Sequence, residues 1–234
     1  MSRGPVIAGV VIGVVVLVVG GAFVADRVLA STVERQAQQA IEENLDGVVG
    51  QPKVDIGRFP FLTQVLRGSV DEVTGSVDGV TIEGIPATDV TFEATDVTTS
   101  EPYTAGAASI SATLPTASLD QVIADQTRLD ITVSIDGDDL KATGKVLGVT
   151  LSANLQPRAQ DGKILVDVQD VAIGGASVSV DSLPRAIGNK LTGIEIPVKT
   201  GLPAGLTLSE VQVVDDGLRI TASGTDVVVP TEAP

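Results

Sequence analysis

The sequence has no cysteine, no histidine and no tryptophan. Without thiols there are no disulfides and no cysteine nucleophile, and without imidazole there is no histidine general base and no metal site built on N or S ligands. Aromatic residues make up 2% of 234 residues, four Phe and one Tyr, so any core is assembled from Val, Ile, Leu and Ala. Positive charge is also scarce. Fifteen Lys and Arg against 30 Asp and Glu leave a net charge of −15, and a nucleic-acid partner would have to bind against a repulsive field. Hydrophobic residues at 43% are too many for a disordered chain, and the length suits one domain of about 200 residues once a terminal segment is set aside.

What is plentiful begins at the N-terminus. From Pro5 to Ala25 no residue is charged, and Val6–Val19 is almost purely aliphatic. Such a run is long enough to cross a bilayer as a helix, whose backbone amides are satisfied internally. Arg3 precedes it and Asp26-Arg27 follow, which predicts a cytoplasmic N-terminus (1–4), a membrane anchor (5–26), an extracytoplasmic domain (27–230) and a free tail (231–234). A cleaved signal is the alternative, with Val28-Leu29-Ala30 before Ser31 as the cleavage site, although the apolar stretch exceeds the usual length of about 7–15 residues.

After the anchor, Val33, Ala37, Ala40, Ile41 and Leu45 recur at helical spacing, predicting an amphipathic helix that ends near Asp46-Gly47 and covers a sheet. Beyond Val54 the period becomes two. Val90/Phe92/Ala94, Ala108/Ile110/Ala112/Leu114, Leu129/Ile131/Val133/Ile135, Leu140/Ala142/Gly144/Val146, Val149/Leu151/Ala153/Leu155, Ile164/Val166/Val168, Val178/Val180 and Leu218/Ile220/Ala222 alternate with polar residues. This pattern belongs to antiparallel strands with one wet and one dry face. Asp78-Gly79, Asp136-Gly137, Asp161-Gly162 and Asp216-Gly217 read as the hairpin turns between them. Two short helices are predicted at 118–124 and 182–191, the second with Leu183, Ile187 and Leu191 on one face. The fold class is α+β, mostly antiparallel β, as a meander with one long and two short helices.

About ten strands each offer an aliphatic face, and three modest helices cannot cover them. The sheet must close on itself, form a sandwich, or curl around an apolar ligand whose chains complete the core. At about 25 cal/mol per Å² of apolar surface, several wet strand faces would exceed the stability of a typical domain.

The most distinctive segment is Gly57-Arg58-Phe59-Pro60-Phe61-Leu62-Thr63-Gln64-Val65-Leu66-Arg67-Gly68, followed by the strand from Ser69 to Val77. Phe59, Pro60, Phe61, Leu62, Val65 and Leu66 form an apolar knuckle between Arg58 and Arg67. Two readings stand: the rings plug one end of the core, or they touch a membrane while the arginines meet lipid phosphates. Anchor, amphipathic helix, this block and a strand-rich domain together resemble the LmeA-like phospholipid-binding family of actinobacterial envelope proteins. The likeness runs from about Val33 to Val229, with its specific part at 58–68 and the strand after it. It implies a curved sheet and helix similar to tubular lipid-binding domains, phospholipid such as phosphatidylinositol as partner, no cofactor, and a supporting role in envelope lipid or lipoglycan assembly. Lipid would then contact the knuckle together with Leu183 and Ile187, and an anionic headgroup would lie near Arg58, Arg67, Arg185 and Lys190.

Other constellations carry less. Asp136-Gly137-Asp138-Asp139 and Asp215-Asp216-Gly217 lack the spaced ligands of a calcium loop and read as turns. Gly174-Gly175-Ala176 precedes no helix and is no phosphate loop. No acidic pair stands out for glycosidase chemistry. The expectation is a membrane-tethered, non-enzymatic lipid-binding domain. The alternatives are a closed β scaffold that recruits envelope enzymes and, less favoured, a carbohydrate-active enzyme.

Overall fold

A computed structural model describes residues 26–57, 61–82, 84–127, 131–146, 149–179, 194–196 and 202–228. The expected membrane span and the expected helix at 182–191 lie outside these residues, and among the described residues no helix is long and apolar enough to cross a membrane.

The described chain contains three helices, α1 (Asp26–Asn44), α2 (Phe61–Arg67) and α3 (Thr116–Thr127). They are set among twelve strands: β1 (Lys53–Gly57), β2 (Ser69–Ile82), β3 (Ile85–Thr98), β4 (Thr104–Pro115), β5 (Ile131–Asp136), β6 (Asp139–Val146), β7 (Val149–Gln160), β8 (Lys163–Ile173), β9 (Ala176–Ser179), β10 (Ile194–Ile196), β11 (Leu206–Val214) and β12 (Gly217–Val228). One sheet has the order β1-β2-β3-β4-β12-β11, and the other has the order β10-β8-β7-β6-β5 with β9 also on β8. The expected antiparallel β class holds, as two open sheets; neither closes into a barrel.

The chain divides into two compact units. The first comprises Met1–Ala112, Lys199–Thr207 and Thr221–Pro234. In it α1 buries Val33, Ala37, Ile41 and Leu45, the expected stripe four residues apart. Gly47, with φ of +62°, turns the chain after the helix, and Val49 N–H donates to the Gly79 carbonyl while Thr81 N–H donates to that of Asp46. This docking corrects the reading of Asp78-Gly79 as a turn. The pair lies inside β2, where the missing side chain at Gly79 lets the segment at Val49 approach, and the ladder of β2 with β3 runs on to the pair Ile82↔Ile85.

β2 and β3 do not keep a strict period of two. On β3 the buried residues are Ala87, then Val90, Phe92 and Ala94, then Val97, and each step of three spans an aspartate in the left-handed region, Asp89 (φ +50°) or Asp96 (φ +51°). On β2 the burial of Val70, Val73, Val77 and Val80 changes phase at the same two levels. Asp tolerates this conformation better than any β-branched residue, and the local irregularity moves the following side chains to the other face.

The second unit comprises Thr113–Val198 and Leu208–Ile220. Its core gathers Leu119 of α3, Val133, Leu140, Ile164 and Val166 of β5, β6 and β8, and Leu208, Val211 and Leu218 of β11 and β12. The Asp120 carboxylate accepts the Val133 N–H at 2.6 Å, so α3 satisfies a donor on the edge strand β5. The hairpin at Asp161-Gly162 turns where expected, and that between β5 and β6 turns on Gly137-Asp138, one residue later than expected. Between β11 and β12 the turn falls on Asp215-Asp216, one residue earlier than expected.

Candidate functional site

The knuckle folds as α2, a two-turn helix with a divided surface. Phe61 is 4% exposed and belongs to the core; Leu62 and Val65 are half-buried, and Leu66 is 71% exposed. Arg67 is exposed and forms an ion pair with Asp71 at 2.6 Å. An anionic headgroup at Arg67 therefore competes with a carboxylate already in place. Gln64, to which the sequence drew no attention, is 3% exposed and fixes the helix. Its amide N–H donates to the Gly57 carbonyl at 3.4 Å, and its Oε1 accepts the Asp71 N–H at 2.7 Å. Among the described residues the Phe61 ring thus follows the core reading. Arg58, Phe59, Pro60, Leu183, Arg185, Ile187 and Lys190 lie outside the described residues.

Among the described residues of the first unit, depressions open at Gly75 and at Gly224, and no described knuckle residue lines either. The larger, about 620 Å³, has the Phe92 ring over Gly75 in its floor and Lys53, Asp55 and Glu93 among its walls. These charges must keep their water or counter-ions, which suits a polar solute better than a fatty chain. Beside it on α1, Glu34 is partly buried. Desolvation first, and the nearby Asp55 carboxylate second, raise its pKa above the ordinary value, against a lowering hydrogen bond from the Ile56 backbone. With a raised folded pKa, the stability linked to this proton is complete below the ordinary glutamate pKa and is lost as pH rises through the folded value. Glu34→Gln removes this slope, so thermal melts of the two proteins are expected to diverge in favour of the variant from mildly acidic to neutral pH. Parallel melting curves across that range would show that Glu34 is not strained. The smaller depression, about 360 Å³, is lined by small residues including Ala107, Ala108 and Gly224.

The broadest apolar feature is one face of the second sheet. Cross-strand pairs Val133↔Ala142, Ala142↔Ala153 and Ala153↔Val171 place these residues on one side, with Gly144, Leu151 and Ile173 in the next row. On β8 the apolar phase changes from Ile164/Val166/Val168 to Val171/Ile173, and a register shift opposite Asn154/Leu155 keeps both sets on the same face. The other face carries Thr143, Lys145, Ser152, Gln156, Arg158 and Asp167, with Arg158 and Asp167 paired at 2.9 Å. The half of the apolar face near Val133, Leu140, Ile164 and Val166 is sealed in the core. In the other half Ala142, Leu151, Ala153 and Val171 are half-buried, Val149 is 43% exposed and Ile173 is 49% exposed. Among the described residues no three acidic side chains come together as metal ligands. What the arrangement offers is an aliphatic wall without a polar atom to orient a reaction.

No curated protein and no solved structure matches the chain. A family model described as LmeA-like phospholipid-binding matches residues 24–223, from the start of α1 into β12. With most of its length covered by that match, the chain belongs to the LmeA-like phospholipid-binding family.

Proposed function

We propose that the domain binds a phospholipid non-covalently, with its acyl chains laid against the open half of the second sheet's apolar face. One observation carries the reading: in a member of a phospholipid-binding family, a strand face that is aliphatic throughout is sealed at one end and left open at the other. Fully burying a Val, Leu or Ile side chain contributes about 1.5–3 kcal/mol, and each acyl methylene adds about 0.8 kcal/mol, so a lipid tail stabilises a surface that water does not. The aliphatic wall has no directional groups, which fits a ligand recognised by its methylenes. Tethering by the uncharged run Pro5–Ala25, with Arg3 on the cytoplasmic side, would hold the domain outside the membrane within reach of its lipids. In this reading phosphatidylinositol is one candidate ligand, the knuckle's exposed Leu66 is a second point of lipid contact, and envelope lipid or lipoglycan assembly is the process served.

The test is mass spectrometry of organic extracts from the purified full chain and from a Leu151→Asp variant. Stoichiometric phospholipid is expected with the unaltered chain, and a several-fold loss with the variant while the β circular-dichroism signal stays. Phospholipid absent from both, or retained in full by the variant, overturns the assignment to this face.

A further inference from the structure

The two ends of the second sheet differ in chemistry. At one end the β5–β6 and β7–β8 hairpins turn through Asp136, Asp138, Asp139, Asp161 and Lys163. At the other, β6 passes to β7 beyond the pair Val146↔Val149, and β8 passes to β9 through Gly174-Gly175. The Gly174 N–H donates to the Thr150 carbonyl at 2.9 Å, which sets the β8–β9 turn beside the start of β7. Residues 142–146, 149–153 and 171–179, which build this end among the described residues, contain a single charge, Lys145. Hairpin tips of a water-facing sheet are ordinarily its most polar positions. Here they present Val149 and Ile173, among the few large hydrophobic side chains left exposed, with the exposed Lys145 beside them.

We infer that this charge-poor end of the second sheet is where the domain docks on the surface of a phospholipid bilayer. The inference rests on the lipid-binding reading for its biological sense, because the open apolar face runs directly to this end and a tail leaving the bilayer would meet it there. Its physical basis is separate. Apolar tips enter the headgroup region, and an adjacent lysine is attracted by anionic lipid. The acidic turns at the opposite end, in a chain of net charge −15, are repelled by the same surface, so the charge distribution sets which end points down.

Because the chain has no cysteine, one engineered thiol is unique in it. Single variants Val149→Cys, Ile173→Cys and Asp161→Cys carry an environment-sensitive fluorophore on the full chain, reconstituted in vesicles of phosphatidylcholine with a minority of phosphatidylglycerol. The vesicles contain an acyl-chain quencher. The expected result is a blue shift and quenching at 149 and 173 and an aqueous signal at 161. Lys145→Glu weakens the quenching on these vesicles. Aqueous signals at both 149 and 173 overturn the proposal, as does immersion of 161 in their place. A lipid bound on the sheet face could also quench, so the two probes are repeated with the quencher carried by a membrane-spanning peptide, which the sheet face cannot take up, in place of the lipid quencher. Quenching that survives supports docking, and quenching lost with that exchange overturns it. Phospholipid in the extracts together with aqueous probes rejects docking and leaves lipid binding standing; immersed probes without extractable phospholipid do the reverse.

Discussion

Phe61→Ala is expected to lower the unfolding free energy by about 3–5 kcal/mol, the usual loss when a buried ring is truncated. The ring is 4% exposed at the start of α2, where it is the helix's large buried apolar side chain; polar ties run from the Gln64 amide to Gly57 and Asp71, from Arg67 to Asp71, and from the Gly68 N–H to the Val65 carbonyl. Leu66→Asp, one turn away on the exposed surface, is expected to stay within about 0.5 kcal/mol of the unaltered protein. Urea unfolding followed by circular dichroism separates the two. Equal, small losses at both positions would mean that the ring is not part of the core and that the whole knuckle is free to meet lipid. A large loss at Phe61 alone leaves Leu66 and its neighbours as the knuckle's outward surface.

Gly224→Val should be nearly as damaging, at least about 3 kcal/mol, the upper part of the range for overpacking. A Cβ at this point of β12 would overlap the Gly205 carbonyl and stand 3.2 Å from the Leu206 Cα, so the obstacle is backbone and cannot rotate away. Gly205 is itself at φ +99°, and a Cβ on it would stand 2.9 Å from the Val227 Cα. Two facing glycines thus let the chain at Ala204–Leu206 lie directly on the last strand, closed by the Val228 N–H bond to the Ala204 carbonyl at 2.9 Å. Gly162→Asn is the contrasting substitution. That glycine needs a left-handed conformation but has open space around it, and Asn costs well under about 1 kcal/mol there. Thermal melts that rank Gly162→Asn as the worse of the two would contradict the contact.

Much of this architecture could be read from side-chain spacing. The stripe Val33/Ala37/Ile41 reports α1 because helix period and burial agree, and Asp136-Gly137 and Asp161-Gly162 report hairpins because apolar alternation flanks both sides. Asp78-Gly79 has the same local signature and is no turn, since only the docking of Val49 on Gly79 decides its role. α2 escaped notice because seven residues are too few for a periodicity to declare itself, and its anchor is an ordinary glutamine. The phase changes at Asp89 and Asp96 were equally hidden, because an aspartate in a left-handed conformation looks like any polar residue on a wet face. For the site, a cluster of rare aromatics stands out by composition alone. The charge-poor end of the second sheet is different in kind: residues 142–153 and 171–179 are far apart in the chain, and only the strand registers bring them together.

Those two aspartates of β3 have one further consequence. A long hairpin with valines recurring on both strands is open to slippage, since a shift of three residues would again pair Val with Val, Val73 with Val97 and Val80 with Val90. The changes of phase act as index marks along the ladder. In that slipped alignment the irregularities of β3 at Asp89 and Asp96 face Thr81 and Thr74 instead of those in β2, so the two strands no longer change phase together.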